Sequence, residues 1–485
     1  MVMVYILKIL PAISLTFFWG CGGKSGLDSK NQPEPPSTEN SGSKQLLSPS
    51  LPSTPPQEGD AVEAIPVDLG SLNHIETLIK KFNLKPYHRK GYFGQNIKIG
   101  IFDNGFAGLK NSRGRRLPPE LTIEKSKDPR MQPSSHGTKM AEIIYGITTG
   151  SAEYHSLRAS PDLYLFNTNG FSNLQAAVDR AIDLKLDMIL YAQVWEFGGQ
   201  FDGDGFINQE VNRALDAGIL WINASGNGGA STYSGPLQTK VGHWVEFTPK
   251  SERLTFVVPQ NETPTKIVLS WSDFKDSKNH KTEIDLDLIL EDAQGQVIQE
   301  SRLNQTGANE YTPGYSAHAR ETLETTLNSG IYSIGVHYKS NRMLKEGAID
   351  ERNRFRVTVV GNGIKMPHGT PTDSLPIPAD NQKVIAVGAL DTDDSGRWKP
   401  TGSYAHLREK PDLWLESEVV FSDPNEPDHR FQTQTHYGTS AASALTTGLL
   451  AVYMSAWGPL SHQNVLERCR TGVFNCKGFS LPDLP

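Results

Sequence analysis

Between residues 97 and 224 the chain alternates short, almost wholly apolar runs with amphipathic ones, and from about residue 242 that alternation stops. The runs "IKIGIF" (97–102), "LYLFN" (163–167), "DMILYAQV" (187–194) and "ILWINAS" (219–225) are too short for core helices. They are also too apolar for strands with one wet face, so they read as parallel strands buried on both sides. Between them lie "HGTKMAEIIYGI" (136–147), "LQAAVDRAIDLK" (174–185) and "INQEVNRALDAG" (207–218). The second sets Leu174, Ala177, Val178, Ala181 and Ile182 on one helical face, and Gly218 ends the third. Parallel strands need crossover helices, so this part is an α/β fold, a parallel sheet with helices on both faces.

From about 242 to 363 the pattern becomes "LTFVVP", "KIVLSWSD", "IDLDLILED", "GIYSIGVHY" and "FRVTVVG". These short runs are separated by Gly, Pro, Asn and Asp, with little helical period. They predict an antiparallel β-sandwich of jelly-roll type. "KVIAVGA" (383–389) then reads as another parallel strand and 440–456 as a long helix. The all-β sandwich is therefore an insertion within one α/β domain. The expected organisation is a signal peptide over 1–20, a tether over 21–70, the α/β domain over 71–241 and 364–485, and the sandwich over 242–363.

The leader "MVMVYILKILPAISLTFFWG" has one cation, Lys8, an apolar stretch and then small residues, which is the order of a secretory signal. Cys21 follows at once, in a setting that resembles the lipobox of bacterial lipoproteins. The resemblance implies lipidation of Cys21 and a membrane anchor; an ordinary signal with an incidental cysteine is the other reading. The Pro- and Ser-rich stretch that follows cannot bury enough apolar area to offset its ordering entropy. Two further cysteines, Cys469 and Cys476, either form a local disulfide or stay as free thiols, and are too few for a zinc site. The net charge of −7 without a Lys/Arg stripe argues against nucleic acid as a partner. No later segment is apolar for long enough to span a bilayer.

Four residues carry candidate chemistry, and each has a plain alternative. Asp103 ends the strand "IKIGIFD", where open α/β sheets gather ligands; Asp-Asn-Gly is equally good turn chemistry. His136 sits in the first turn of a helix that Ser134 or Ser135 caps. There the dipole favours the neutral imidazole a base needs; a surface histidine is the alternative. Asn227, between glycines past a strand, can donate a hydrogen bond at close range or simply form a turn. Ser440 at a helix mouth is a cap or a nucleophile beside positive dipole.

Together the four are more specific than apart. The order Asp, His, Ser is one known order for a serine triad. "IFDNGF", "SHGTKMAEI", "ASGNGG" and "YGTSAASALTTG" resemble, in order, the four motifs of the subtilisin-like serine proteases, or subtilases. "KVIAVGAL" and "KPDLWL" resemble further family segments. The likeness covers roughly 85–241 and 364–456. It implies a three-layer subtilisin-like fold and a serine endopeptidase that needs no cofactor for its chemistry. It assigns Ser440 as nucleophile, His136 as general base, Asp103 as its orienter and Asn227 as oxyanion donor. It also assigns Ala192, Gln193, Val194, Trp195, Ala224, Ser225 and Gly226 to substrate binding.

Departures from the family pattern are instructive. Asn104 stands where Ser or Thr is usual, and Ala444 where a proline follows the serine motif. Ala192-Gln193-Val194-Trp195 replaces Ser-Leu-Gly-Gly on the substrate edge, which predicts a narrowed or altered P1 pocket. Residues 71 to 102 leave little room for the inhibitory pro-domain many relatives carry. Structural calcium is considered at Asp202 and Asp204, and at Asp285 and Asp287. The expected partners are a polypeptide substrate and a membrane, in an exported, envelope-bound or secreted protein. The competing function is a non-catalytic surface module that binds peptide, protein or glycan.

Overall fold

The structure, a computed structural model, describes residues 69–149, 160–199, 201–239, 243–273, 282, 284–305, 314–316, 318–339, 354–392, 398–401, 409–422, 433–436 and 438–484. The leader, Cys21 and all but the last two residues of the 21–70 tether lie outside these.

Helices α1 (Leu69–Lys81) and α2 (Lys85–Arg89) come first. The α/β alternation follows as β1 (Lys98–Asp103), the short α3 (Leu109–Ser112), β2 (Thr122–Ile123), α4 (His136–Thr149), β3 (Asp162–Asn167), α5 (Phe171–Leu184), β4 (Met188–Tyr191), α6 (Phe206–Asp216) and β5 (Leu220–Ala224). Then come β6 (Thr232–Pro236), β7 (Leu254–Val258), β8 (Thr263–Trp271), β9 (Leu286–Glu291), β10 (Val297–Ser301), β11 (Arg320–Leu327), β12 (Gly330–Tyr338) and β13 (Arg354–Val360). The chain closes with β14 (Ile385–Thr392), β15 (Trp398–Thr401), β16 (Leu413–Glu416), β17 (Val419–Ser422), β18 (Thr433–His436), α7 (Thr439–Trp457) and α8 (His462–Arg470).

One sheet runs β2-β3-β1-β4-β5-β14-β15, with β16 also paired to β14. All its pairings are parallel except β14 with β15. The strands β5 and β14 lie side by side, Ile222 opposite Ile385, although β6 to β13 separate them in sequence. Those eight strands form two antiparallel sheets, β10-β9-β12-β7 and β11-β8-β13-β6. The fold is thus the expected parallel sheet with an inserted all-β segment.

Three local differences from the sequence reading have physical causes. β10 ("VIQES") and β11 ("RETLETTL") are too polar to announce themselves, and pairing with β9 and β8 makes them strands. β6 ("TYSGP") starts ten residues before the expected boundary at 242. Its Gly and Pro argue against a strand, yet it is held at the sheet edge by β13, Tyr233 opposite Val357.

Strand alternation sorts the core. Ile99 and Ile101 face α1, α4 and α7 in one apolar cluster, with Met140, Ile143, Ile144, Leu445 and Leu449. Phe102 faces the other way, onto α5 and α6, in a second cluster with Phe166, Val178, Val211 and Trp221. That second cluster continues without a break into the antiparallel sheets, through Phe256, Leu269, Trp271, Leu288 and Phe355. At about 1.5–3 kcal/mol for each large apolar side chain, this joint burial binds the inserted segment to the α/β part.

Cys469 and Cys476 form a disulfide, so of the two readings left open the bond is the one realised. Among the described residues no helix is long and apolar enough to cross a membrane.

Candidate active site

The site forms at the carboxyl end of β1, where α4 and α7 both present their first turns. Asp103 is the last residue of β1 and is buried. Its Oδ1 accepts from the backbone N–H groups of Asn104 (2.9 Å) and Gly105 (3.3 Å), which fixes the carboxylate plane. Its Oδ2 accepts from His136 Nδ1 at 2.6 Å. A charge-assisted bond of that length holds the ring with Nδ1 protonated and leaves Nε2 free to act as a base.

His136 opens α4; Ser134 Oγ accepts its N–H at 3.1 Å, and the Ser135 carbonyl accepts the first intrahelical bond, from Lys139 N at 3.0 Å. The ring is 16% exposed, enough to meet a substrate without full solvation. On the next strand the Tyr191 phenol feels Asp103, and burial pushes its pKa above the usual range.

Ser440 lies in the first turn of α7, whose leading N–H groups have no intrahelical partner. Gly438 precedes the helix at φ 104°, and a Cβ there would stand 2.9 Å from Asn227 Oδ1. Glycine is required twice over, by conformation and by this close approach. Asn227 is exposed and its Oδ1 accepts from Thr439 N (3.0 Å) and Thr439 Oγ1 (3.2 Å). The amide oxygen is therefore engaged at the helix mouth, and the Nδ2 hydrogens are left to donate outward.

The Ser440 hydroxyl does not bond the His136 ring; it donates to the Ala192 carbonyl at 3.0 Å. The next residue, Gln193, is buried and places Nε2 3.2 Å from His136 Nδ1. Consecutive residues thus touch the hydroxyl and the ring, which brings the two halves of the site together. The sequence assigned both residues to substrate binding, and neither contact was foreseen. A glutamine where the family has leucine was the signal that could have pointed to the second.

Val194 is half-buried, and its main chain has no hydrogen bond among the described residues. Trp195 turns the other way. Its N–H and C=O pair with Ile377 (2.7 and 3.1 Å), and its indole donates to Tyr191 Oη at 2.7 Å. Ala224 and Ser225 are buried, with Ser225 N bonded to Val387 O at 3.0 Å, and Gly226 leads into Asn227.

Asp202 Oδ1 accepts Asp204 N at 3.1 Å, and Lys339 Nζ lies 2.8 Å from Asp287 Oδ1. Burial raises the Asp285 pKa from its ordinary value, against the nearby Lys339 charge. Among the described residues no three His, Cys, Asp or Glu side chains gather as a metal site.

A profile of the subtilase family matches residues 331–469, which include Ser440. The chain is 27% identical over 154 residues to a thermostable alkaline protease of Halalkalibacterium halodurans, covering 31% of this chain and 41% of that protein. It is 27% identical over 162 residues to subtilisin E of Bacillus subtilis, covering 32% and 40%. A subtilisin of Bacillus pumilus is 26% identical over 162 residues, covering 32% and 55%. The matched stretch spans about two fifths to a little over half of these relatives' length. Among solved structures, the CspB protease of Clostridium perfringens aligns with a TM-score of 0.47 at 16% identity, over 86% of this chain and 96% of that one. The sequence similarities support the subtilase family and, at that level, a serine protease.

Proposed function

We propose that the chain is a serine endopeptidase that forms its acyl-enzyme on Ser440. The observation that carries this reading is the buried Asp103 carboxylate 2.6 Å from His136 Nδ1, with the Ser440 hydroxyl held on the residue beside the one that contacts the same ring. Rotation about the Ser440 Cα–Cβ bond takes the hydroxyl off Ala192 O. His136 Nε2 accepts its proton as Oγ attacks the scissile carbonyl, and Asp103 stabilises the imidazolium that results. The same proton then passes to the leaving amine. Water enters, His136 takes one of its protons, and hydroxide attack on the ester releases the acid and returns the proton to Ser440. Asn227 Nδ2 and the Ser440 N–H donate to the tetrahedral oxyanion, each such donor contributing about 3–4 kcal/mol to the transition state.

The substrate is a polypeptide in extended form. The unpaired main chain of Val194 offers it one strand-like pairing, while Trp195, committed to Ile377, offers none. The bulk of Val194 and Trp195 in place of two glycines narrows the P1 pocket, so small P1 residues are preferred. Efficient cleavage after large aromatics in a peptide library would contradict this. We place the protein outside the cytoplasm, exported by its leader and held to a membrane through lipidated Cys21, with the antiparallel sheets as a jelly-roll-type module. The chemistry needs no cofactor.

The second reading, a non-catalytic module that binds peptide, protein or glycan, draws on the Ser440 hydroxyl being bonded to Ala192 O instead of His136. A fluorophosphonate probe separates the two. Labelling of the wild type and not of Ser440→Ala is expected. A folded wild type that takes up no probe favours the binding module.

A further inference from the structure

We propose that Gln193 is a positioning residue for His136, its side-chain amide oxygen accepting from the same Nδ1–H that Asp103 binds. This inference rests on the proposed role of His136 as base.

The amide lies 3.2 Å from Nδ1 and is buried, only 3% of the residue being exposed. Asp103 Oδ2 already takes the Nδ1 proton at 2.6 Å, so Nδ1 is a donor. With Gln193 Nε2 against it, two donors would face each other. A half-turn of the amide places Oε1 there instead, and the contact becomes attractive. The turn breaks no hydrogen bond of Oε1, which has no partner among the described residues. The backbone around the amide is fixed. Gln193 O accepts from Asn223 Nδ2 at 3.2 Å, and Asn223 Oδ1 accepts from Trp221 Nε1 at 3.0 Å, both buried. Ala192 on one side holds Ser440, and Trp195 on the other is pinned to Ile377.

The charged and titratable groups around the ring leave room for such an effect. Asp103 on β1 is the carboxylate at Nδ1, and Tyr191 on β4 is kept neutral by burial. Glu142, on the same helix as His136, is engaged by Ser112 and Arg116, and Lys139 is buried on that helix. Ser440 on α7 is uncharged. A second acceptor on Nδ1–H stabilises the imidazolium more than the neutral ring, since the cation is the stronger donor. It also stops the ring from swinging about Cβ–Cγ, which one carboxylate contact alone permits.

The test is the titration of His136 by histidine-selective NMR on the full chain, which requires no turnover. Gln193→Leu is expected to lower the His136 pKa by roughly one unit, the shift that one hydrogen bond to a charged group amounts to. The acid limb of kcat/KM should move with it, and kcat should fall by about three- to tenfold with KM nearly unchanged. Gln193→Glu keeps the length and reach; it should raise the His136 pKa above the wild-type value and serves if the leucine variant does not fold. Superimposable His136 titrations in wild type and either variant would overturn the assignment. A wild type that fails to label with fluorophosphonate but shows the shifts would sink the protease reading and leave the Gln193–His136 contact standing.

Discussion

The two faces of the parallel sheet have been put to different uses. On one, α4 and α7 pack closely against Ile99, Ile101, Leu190 and Ile222, and their first turns carry His136 and Ser440. On the other, α5 and α6 cover Phe102, Tyr191 and Trp221, and the apolar cluster runs on into the antiparallel sheets. Asp103 and Gln193 stand between them at the strand ends. Both faces are equally buried, so burial does not mark the site. What marks it is that two helices begin where a strand ends, exposing N–H groups and polar side chains at a single edge.

That contrast can be broken by mutation. Asp103→Asn should cut kcat by about 10⁴-fold, because the amide favours the wrong His136 tautomer, while the melting temperature changes little. A matched loss of stability would mean the carboxylate mainly holds the fold. Trp271→Ala, deep in the β8 part of the second cluster, should cost about 3–5 kcal/mol in denaturant unfolding. The folded fraction should still label at Ser440; a labelling rate that falls with the mutation would show that the antiparallel sheets set the active-site geometry.

The two regions should also respond to pH in opposite directions. On the α/β side burial lowers the His88 pKa to about 4, outweighing a hydrogen bond to the Thr148 backbone. The unfolded chain binds the proton more readily, so this part is fully stable above pH of about 6.5 and loses up to about 3 kcal/mol as pH falls towards 4. In the antiparallel sheets burial raises the Glu321 pKa to about 7, against hydrogen bonds from Ser301, Gln305 and the Leu303 N–H. Here the folded chain binds the proton more readily. The contribution is complete below pH of about 4.5 and is lost, again by up to about 3 kcal/mol, as pH rises through 7. His88→Phe should flatten the acid side of the stability profile and Glu321→Gln the neutral side. If either leaves the profile unchanged, that residue is not the titrating group.

Much of this was legible in the sequence, and for physical reasons. β1, β3, β4 and β5 are buried on both faces, so their apolar runs are unmistakable. Asp103, His136, Asn227 and Ser440 occupy element ends, where a polar residue in an apolar context stands out. The strands β10 and β11 were hidden because few of their side chains are buried and partner strands supply their order. Ala192 O as the acceptor for Ser440 could not be read at all, since a carbonyl carries no residue identity. Gln193 announced only a departure from leucine; that its amide meets the His136 ring depends on a strand and a helix folding to one place.

The pairing of β5 with β14 has a temporal consequence. The aspartate and histidine are made early and the serine late, and the strand that joins their halves cannot dock until everything from β6 to β13 has been threaded past. Closing so long a loop slows assembly more than it weakens the product. A nascent chain therefore carries Asp103 and His136 through the synthesis of the whole inserted segment before Ser440 exists to join them.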